Sequence, residues 1–277
     1  MVENYKAEGI QLLSNLPKLP AVPVVGITGS PGAGKSTLIN ALIGFLLQKK
    51  MKVGIIAVDP TSPFSHGSLL GDRIRMNDHF TNPSVFIRSM ATRGSLGGLS
   101  PKIVEAVDLL KAAKFDYIII ETVGVGQSEV EIASLADTTV VVLVPESGDE
   151  VQNIKSGVME TADVFVVNKA DRPGADAFFN TLKSLVHSKV NSNWETPVVK
   201  TVADTADGID ELFAAIQSHR NSIHSNEKKI KLLIEKALQL IREKRTADID
   251  FDKLRTQIEN EIVGGKQNLY TFVQTNY

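Results

Sequence analysis

Residues Gly29 to Ser36 read Gly-x4-Gly-Lys-Ser, directly after the apolar run Val22-Pro-Val-Val-Gly-Ile-Thr28. This spacing predicts a phosphate-binding loop between a buried strand and a helix. Val24, Val25 and Ile27 suit the strand, and Leu38, Ile39, Ala41 and Leu42 suit a packed helix face. Successive backbone N–H groups and a helix N-terminus then form a concave site for anionic oxygens. Gly32, Ala33, Gly34, Lys35, Ser36 and Thr37 are the expected phosphate contacts. Lys35 supplies a point charge for β- and γ-phosphates, and the Ser36 hydroxyl is placed to ligate Mg²⁺.

The 277 residues suit one large α/β domain, or one domain with a small appendage. The net charge of −2 gives no bulk field favouring nucleic acid or an anionic membrane, and neither is expected as a partner. Cysteine is absent, which excludes disulfides, thiolate metal sites and cysteine nucleophiles and fits a reducing, cytoplasmic setting. Residues 1–10 are charged and lack a long apolar run, so they are not expected to be a signal peptide. No run of about eighteen apolar residues predicts a membrane span.

Short β-branched runs alternate with longer helical patterns. Strands are predicted at 22–28, 53–58, 84–88, 116–121, 138–144, 163–168 and 197–201, and helices at 35–48, 99–113, 129–135, 150–160, 174–187 and 208–219. The runs at 117–120 and 140–144 are apolar on both faces, as in parallel sheets covered by helices. The expected fold is α/β: a doubly wound, mainly parallel sheet over residues 21–222. An N-terminal helical extension is expected at 1–20, and a C-terminal helical region at 223–277. In that region Ile230, Leu233, Ile234, Ala237, Leu238 and Ile241 recur at three-and-four spacing, with a break at Asp248 to Asp252. Such a stripe docks on the chain's own sheet or pairs with a second copy.

Several strand ends carry acids. Asp59, in Val58-Asp59-Pro60, can reach a Mg²⁺ shell directly or through water. Asp72 in Gly71-Asp-Arg-Ile-Arg-Met76 is a second candidate, and Arg73 and Arg75 are candidates to meet phosphate charge. A small-residue loop at 88–99 would bring Arg93 near a nucleotide or partner. Glu121, Thr122, Val123 and Gly124 match a γ-phosphate sensor: Glu121 holds the metal water, and the Gly124 N–H reports loss of the phosphate. Val125 follows Gly124, with Gln127 further on, which predicts slow intrinsic hydrolysis raised by a partner.

Asn168-Lys-Ala-Asp171 closes an apolar strand. The Asp171 carboxylate can accept from guanine N1–H and N2–H₂, a donor pair that adenine lacks. Asn168 bridges loops, and the Lys169 stem lies along the ring. GTP and GDP are therefore expected over ATP. In the last loop, Thr201-Val202-Ala203-Asp204, a main-chain N–H at Val202 or Ala203 is expected to touch guanine O6. His66, His79, His187, His219 and His224 show no paired ligand spacing and are expected at the surface or in loops. Trp194 is expected to pack at a loop.

These motifs occur in one order, together with Arg88-Ser-Met-Ala-Thr-Arg-Gly94, Glu121-Thr-Val-Gly-Val-Gly-Gln-Ser-Glu129 and Gly148-Asp-Glu-Val-Gln-Asn-Ile-Lys155. Over roughly residues 5–265 the chain resembles the MeaB/ArgK family of P-loop GTPases. These are chaperones of adenosylcobalamin-dependent methylmalonyl-CoA mutase and its relatives. The resemblance implies that Asp59, Asp72 and Glu121 surround Mg²⁺. It implies a third switch near Pro145 to Lys155, with Lys155 moving into the nucleotide site. It also implies a homodimer built through the C-terminal helices. GTP hydrolysis would gate loading of intact cofactor onto the mutase and ejection of damaged cofactor. The competing expectation is an ATPase or kinase of a lysine/arginine/ornithine transport system. The guanine-reading Asn168-Lys169-x-Asp171 opposes it.

Overall fold

The structure is a computed structural model, which describes residues 7–59, 79–91, 101–122, 128–146, 161–187, 194–222, 227–246 and 248–276. The chain divides into two compact units, Met1–Lys229 and Ile230–Tyr277.

In the first unit the β-branched runs form β1 (Val24–Gly29), β2 (Val53–Asp59), β3 (Val85–Ala91), β4 (Tyr117–Thr122), β5 (Thr138–Leu143), β6 (Val164–Val167) and β7 (Val198–Lys200). They make one seven-stranded sheet in the order β3-β2-β4-β1-β5-β6-β7, and every described pair is parallel. After β1 the chain builds one side of the sheet with β2 and β3, then returns through β4 to build β5 to β7 on the other. The carboxyl end of β1 is therefore the topological switch point, where open α/β sheets bind ligands.

The helices are α1 (Ala7–Ser14), α2 (Lys35–Gln48), α3 (Pro101–Ala112), α4 (Ser128–Leu135), α5 (Ala175–His187) and α6 (Ile209–Ser222). Period-two alternation sorts them onto faces. Val25, Ile27, Ile55, Val140, Val142, Val164 and Val166 pack with Leu38, Leu42 and Leu46 of α2 and Leu212, Phe213 and Ile216 of α6. Val141, Leu143, Phe165 and Val167 point the other way, onto Phe178, Leu182 and Val186 of α5. α4 packs on the same side as α5, where Gly26 lacks a side chain: a Cβ there would lie 2.9 Å from Ile132 Cγ1.

Register at the amino edge of the sheet is set by aspartates that immediately precede strands. Asp116, Asp137 and Asp163 stand one residue before β4, β5 and β6. Their carboxylates accept the N–H groups of Lys52, Val24 and Thr139 at 2.7, 2.8 and 2.8 Å. In return each aspartate N–H donates to the carbonyl of that same residue, at 2.9, 2.8 and 2.9 Å. Each pair ties neighbouring strands by two bonds in one register, which a slip of one residue would break.

The predicted elements agree with the described ones to within about three residues at their ends. One boundary is corrected: residues 89–91, expected in a loop, continue β3 and pair with Ala57 to Asp59. The predicted helix at 150–160 lies outside the described residues.

In the second unit lie most of α7 (Glu227–Arg245), then α8 (Phe251–Ile258) and α9 (Leu269–Asn276). Asp250 caps α8 by accepting from the Asp252 and Lys253 N–H groups at 2.9 and 3.1 Å. α8 continues into a π-helical turn, Glu259–Val263, closed by Gly264 N–H to Glu259 O at 3.1 Å. The α7 stripe is about half exposed: Ile230 53%, Leu233 56%, Ile234 54% and Leu238 49%. Among the described residues no helix is long and apolar enough to cross a membrane.

Candidate functional site

The phosphate loop links β1 to α2 and takes its shape from left-handed backbone. Gly29 has φ 140°, Gly32 has φ 82° and Gly34 has φ 84°. A Cβ on Gly29 would lie 2.1 Å from Val142 O, and one on Gly34 would lie 2.5 Å from Asn168 Nδ2. No L side chain fits either position. Lys35, only 7% exposed, donates its ammonium to Gly29 O at 2.7 Å and Ser30 O at 2.9 Å. These bonds hold a compact cation inside the loop, where phosphate charge is expected.

Parallel register brings Glu121 to the loop. β1 pairs with β4 so that Ile27 lies beside Glu121. Ser36 Oγ donates to Glu121 Oε1 at 2.7 Å, and both residues are buried. A hydroxyl and a carboxylate converging beside a phosphate loop are hard oxygen donors of the type Mg²⁺ selects, so Ser36 and Glu121 fit the ion. Asp59 ends β2. Asp72, Gly124 and Lys155 lie outside the described residues, as do Arg73, Arg75 and Arg93. Among the described residues no group of three or more His, Asp or Glu forms a metal cluster.

The loop at Asn168 to Asp171, expected to read the base, is tied to the phosphate loop by side chains. Asn168, 1% exposed, donates its amide to Ala33 O at 2.9 Å. Its Oδ1 accepts from Thr201 Oγ1 at 3.0 Å and from the Ala203 N–H at 3.2 Å. One side chain thus joins three loops. Lys169, at φ 57°, donates to Gly32 O at 2.8 Å, so its stem spans from base loop to phosphate loop. Asp171 is exposed at the rim. The Val202 N–H donates to Asp207 O at 3.1 Å, and the Ala203 N–H to Asn168, so this last loop braces Asn168.

Next to Asp171, Arg172 Nη1 donates to Glu146 Oε1 in an exposed ion pair. The hydrogen bond from Arg172 holds the Glu146 carboxyl below the usual glutamate range, and the same bond raises the guanidinium. This pair links the base loop to the residue just before the 147–160 segment. Motif reading passed over it, because a Glu and an Arg 26 residues apart carry no spacing signal.

One histidine expectation is corrected. His219 is on α6 and 6% exposed, not at the surface. Its Nδ1 lies 2.9 Å from Thr138 Oγ1 and its Nε2 lies 3.3 Å from Asp163 Oδ1. Trp194 packs edge-on against the ring at 4.9 Å and donates Nε1–H to Asp163 O at 2.8 Å. The cluster sits at the amino edge of the sheet, opposite the phosphate loop. It buttresses the fold.

The family model described as methylmalonyl-CoA mutase-associated GTPase MeaB matches residues 1–256. A candidate GTPase of Pyrococcus horikoshii is 52% identical over 202 residues, covering 72% of this chain and 64% of that protein. The chain thus spans just under two thirds of that relative. GTPase ArgK of Escherichia coli is 34% identical over 269 residues, covering 90% of this chain and 81% of that one. The crystal structure of a protein described as LAO/AO transport system kinase superposes with a TM-score of 0.67 at 27% identity, covering 96% and 84% of the two chains. On a family match of this extent, with the phosphate loop tied by direct side-chain bonds to Glu121 and to Asn168, the chain belongs to the MeaB family of P-loop GTPases.

Proposed function

We propose that this chain binds GTP and Mg²⁺, hydrolyses GTP slowly by itself, and uses the cycle to gate adenosylcobalamin loading and protection of an acyl-CoA mutase of the methylmalonyl-CoA mutase type. The observation that carries the nucleotide half is Asn168, whose side chain locks the base loop onto the phosphate loop at 2.9 Å. Guanine on Asp171 and phosphate on Lys35 are then read by one rigid unit. The mutase half rests on the family description and on the motifs at 71–76, 88–99 and 121–129.

The residues divide the work as follows. Lys35 and the loop N–H groups hold the β- and γ-phosphates. Ser36 and Glu121, with Asp59 and Asp72, would hold Mg²⁺, which when bound neutralises charge developing on the β- and γ-oxygens. Gly124 would sense the γ-phosphate, and Lys155 would move into the nucleotide site. A homodimer through the C-terminal helices is part of this reading, supported by the half-exposed α7 stripe. We also place the protein in the cytoplasm.

The transport-kinase reading draws on the description of one similar crystal structure. The guanine-reading loop stands against it. The deciding experiment measures GTP hydrolysis with and without a purified adenosylcobalamin-dependent mutase from the same source. A large mutase-dependent increase is expected. Clear GTP binding with no increase would transfer the reading to another partner, and ATP displacing GTP at similar affinity would restore the kinase.

A further inference from the structure

β4 ends in two consecutive residues whose side chains leave opposite faces of the sheet. Glu121 reaches Ser36 at the start of α2. The next residue, Thr122, donates its hydroxyl to Thr28 Oγ1 at 2.9 Å. Both threonines are 0% exposed. The β1–β4 register places Ile27 beside Glu121, so Thr28 and Thr122 form the next rung. Thr28 immediately precedes Gly29, where the phosphate loop begins, and Thr122 immediately precedes the 123–127 segment.

A hydroxyl at either position gains nothing from burial alone. Valine has the same shape, and valine and isoleucine fill most other interior positions of these two strands. Burying a lone hydroxyl is unfavourable, and the cost is offset only when it is bonded. Two buried hydroxyls bonded to each other therefore mark a constraint rather than a packing convenience. The constraint falls where β4 must keep a fixed height against the phosphate loop. Loss of under an ångström of alignment would take Glu121 Oε1 out of hydrogen-bond range of Ser36.

We infer that Thr28 and Thr122 are a positioning pair for the metal half of the site. Their bond locks the end of β4 to the root of the phosphate loop from the face opposite Ser36. Glu121 and Thr122 together clamp the strand end from both sides. The inference rests on the reading that Ser36 and Glu121 hold Mg²⁺.

The test compares the full-length protein with Thr122→Val, Thr28→Val, the double variant and Thr122→Ser. Calorimetric titration gives GDP affinity in EDTA and in Mg²⁺, and the ratio is the Mg²⁺-dependent gain. Thr122→Val is expected to reduce that gain roughly 3- to 10-fold while leaving affinity in EDTA within about twofold. Thr122→Ser keeps the wild-type gain. Thr28→Val matches Thr122→Val, and the double variant loses no more than either single one, because all three remove the same bond. Thr28→Val decides the matter if Thr122→Val does not fold. A wild-type gain in both single variants overturns the inference. So does an equal loss in EDTA and Mg²⁺, which marks general packing damage. A wild-type protein with no Mg²⁺-dependent gain overturns the metal reading and this inference together.

Discussion

Ser36 Oγ and Glu121 Oε1 lie 2.7 Å apart, although 85 residues of chain separate them. One stands at the start of α2 and the other near the end of β4, and the β1–β4 register brings them together. Removing the charge while keeping the shape tests what the pair does. Glu121→Gln is expected to lower Mg²⁺-dependent hydrolysis by about 10²-fold or more. GDP affinity in EDTA should stay within a few-fold of wild type. Single-turnover hydrolysis beside calorimetry separates the two, and equal losses in both would make Glu121 a folding residue.

Lys35 is held inside the phosphate loop by the carbonyls of Gly29 and Ser30. Lys35→Ala deletes the cation and should weaken GTP binding by about 100-fold or more. A fluorescent GTP analogue would show this directly. Unchanged affinity would refute the phosphate role.

In the proposed function Asp171 chooses the base and Asn168 supports its loop. Asp171→Asn replaces an acceptor with a mixed donor and acceptor, so preference should move from guanosine to xanthosine diphosphate. Asn168→Ala, by contrast, strands the Ala33 carbonyl, the Thr201 hydroxyl and the Ala203 N–H. It should destabilise the fold by about 2–3 kcal/mol and weaken every nucleotide alike. Competition titrations with both diphosphates, read beside thermal unfolding, distinguish the two effects.

Gly34→Ala puts a Cβ at φ 84° within 2.5 Å of Asn168 Nδ2. The strain should amount to about 1–3 kcal/mol. Because the clash breaks the link between phosphate loop and base loop, nucleotide affinity should fall more than thermal stability. A variant that loses stability but binds GTP normally would show that this link is dispensable.

The buried His219 cluster predicts the reverse pattern. His219→Ala leaves a cavity and removes the ring that Thr138 and Asp163 contact, at a cost of about 2–4 kcal/mol. It lies at the opposite edge of the sheet, so GTP affinity at a temperature where the variant is folded should match wild type. Denaturant unfolding beside nucleotide titration checks both halves.

Much of this was legible in the chain. Runs such as Tyr117-Ile-Ile-Ile120 announce strands buried on both faces, because no polar face is left to meet water. Gly29 to Ser36 and Asn168 to Asp171 announce their chemistry through spacing, since each motif works within a single turn or strand end. Other features gave no such signal. The burial of His219 has no sequence signal, because its partners, Thr138 and Asp163, are 81 and 56 positions away. The β3 extension through Ala91 depended on β2 being its neighbour, as serine and arginine do not suggest a strand. α9, with its Asn268 cap accepting from the Thr271 N–H at 3.0 Å, follows a glycine pair at which the helical pattern stops. The aspartates before β4, β5 and β6 carry no spacing signal, because the donor each accepts from belongs to a neighbouring strand far away in the chain.

The sequence by itself determined the local patterns the chain carries: a glycine-rich loop between a strand and a helix, an Asn-Lys-x-Asp strand end and a run of doubly buried strands. Those depend on residue type and short spacing, which backbone geometry converts directly into structure. Only the tertiary structure decided what meets what. Glu121 reaches Ser36, Thr122 reaches Thr28, and Asn168 reaches Ala33 across 135 residues, because parallel strands far apart in the chain pair in one register. That register is a cooperative property of the whole sheet, set by long-range pairing and by burial on both faces, and no single segment encodes it.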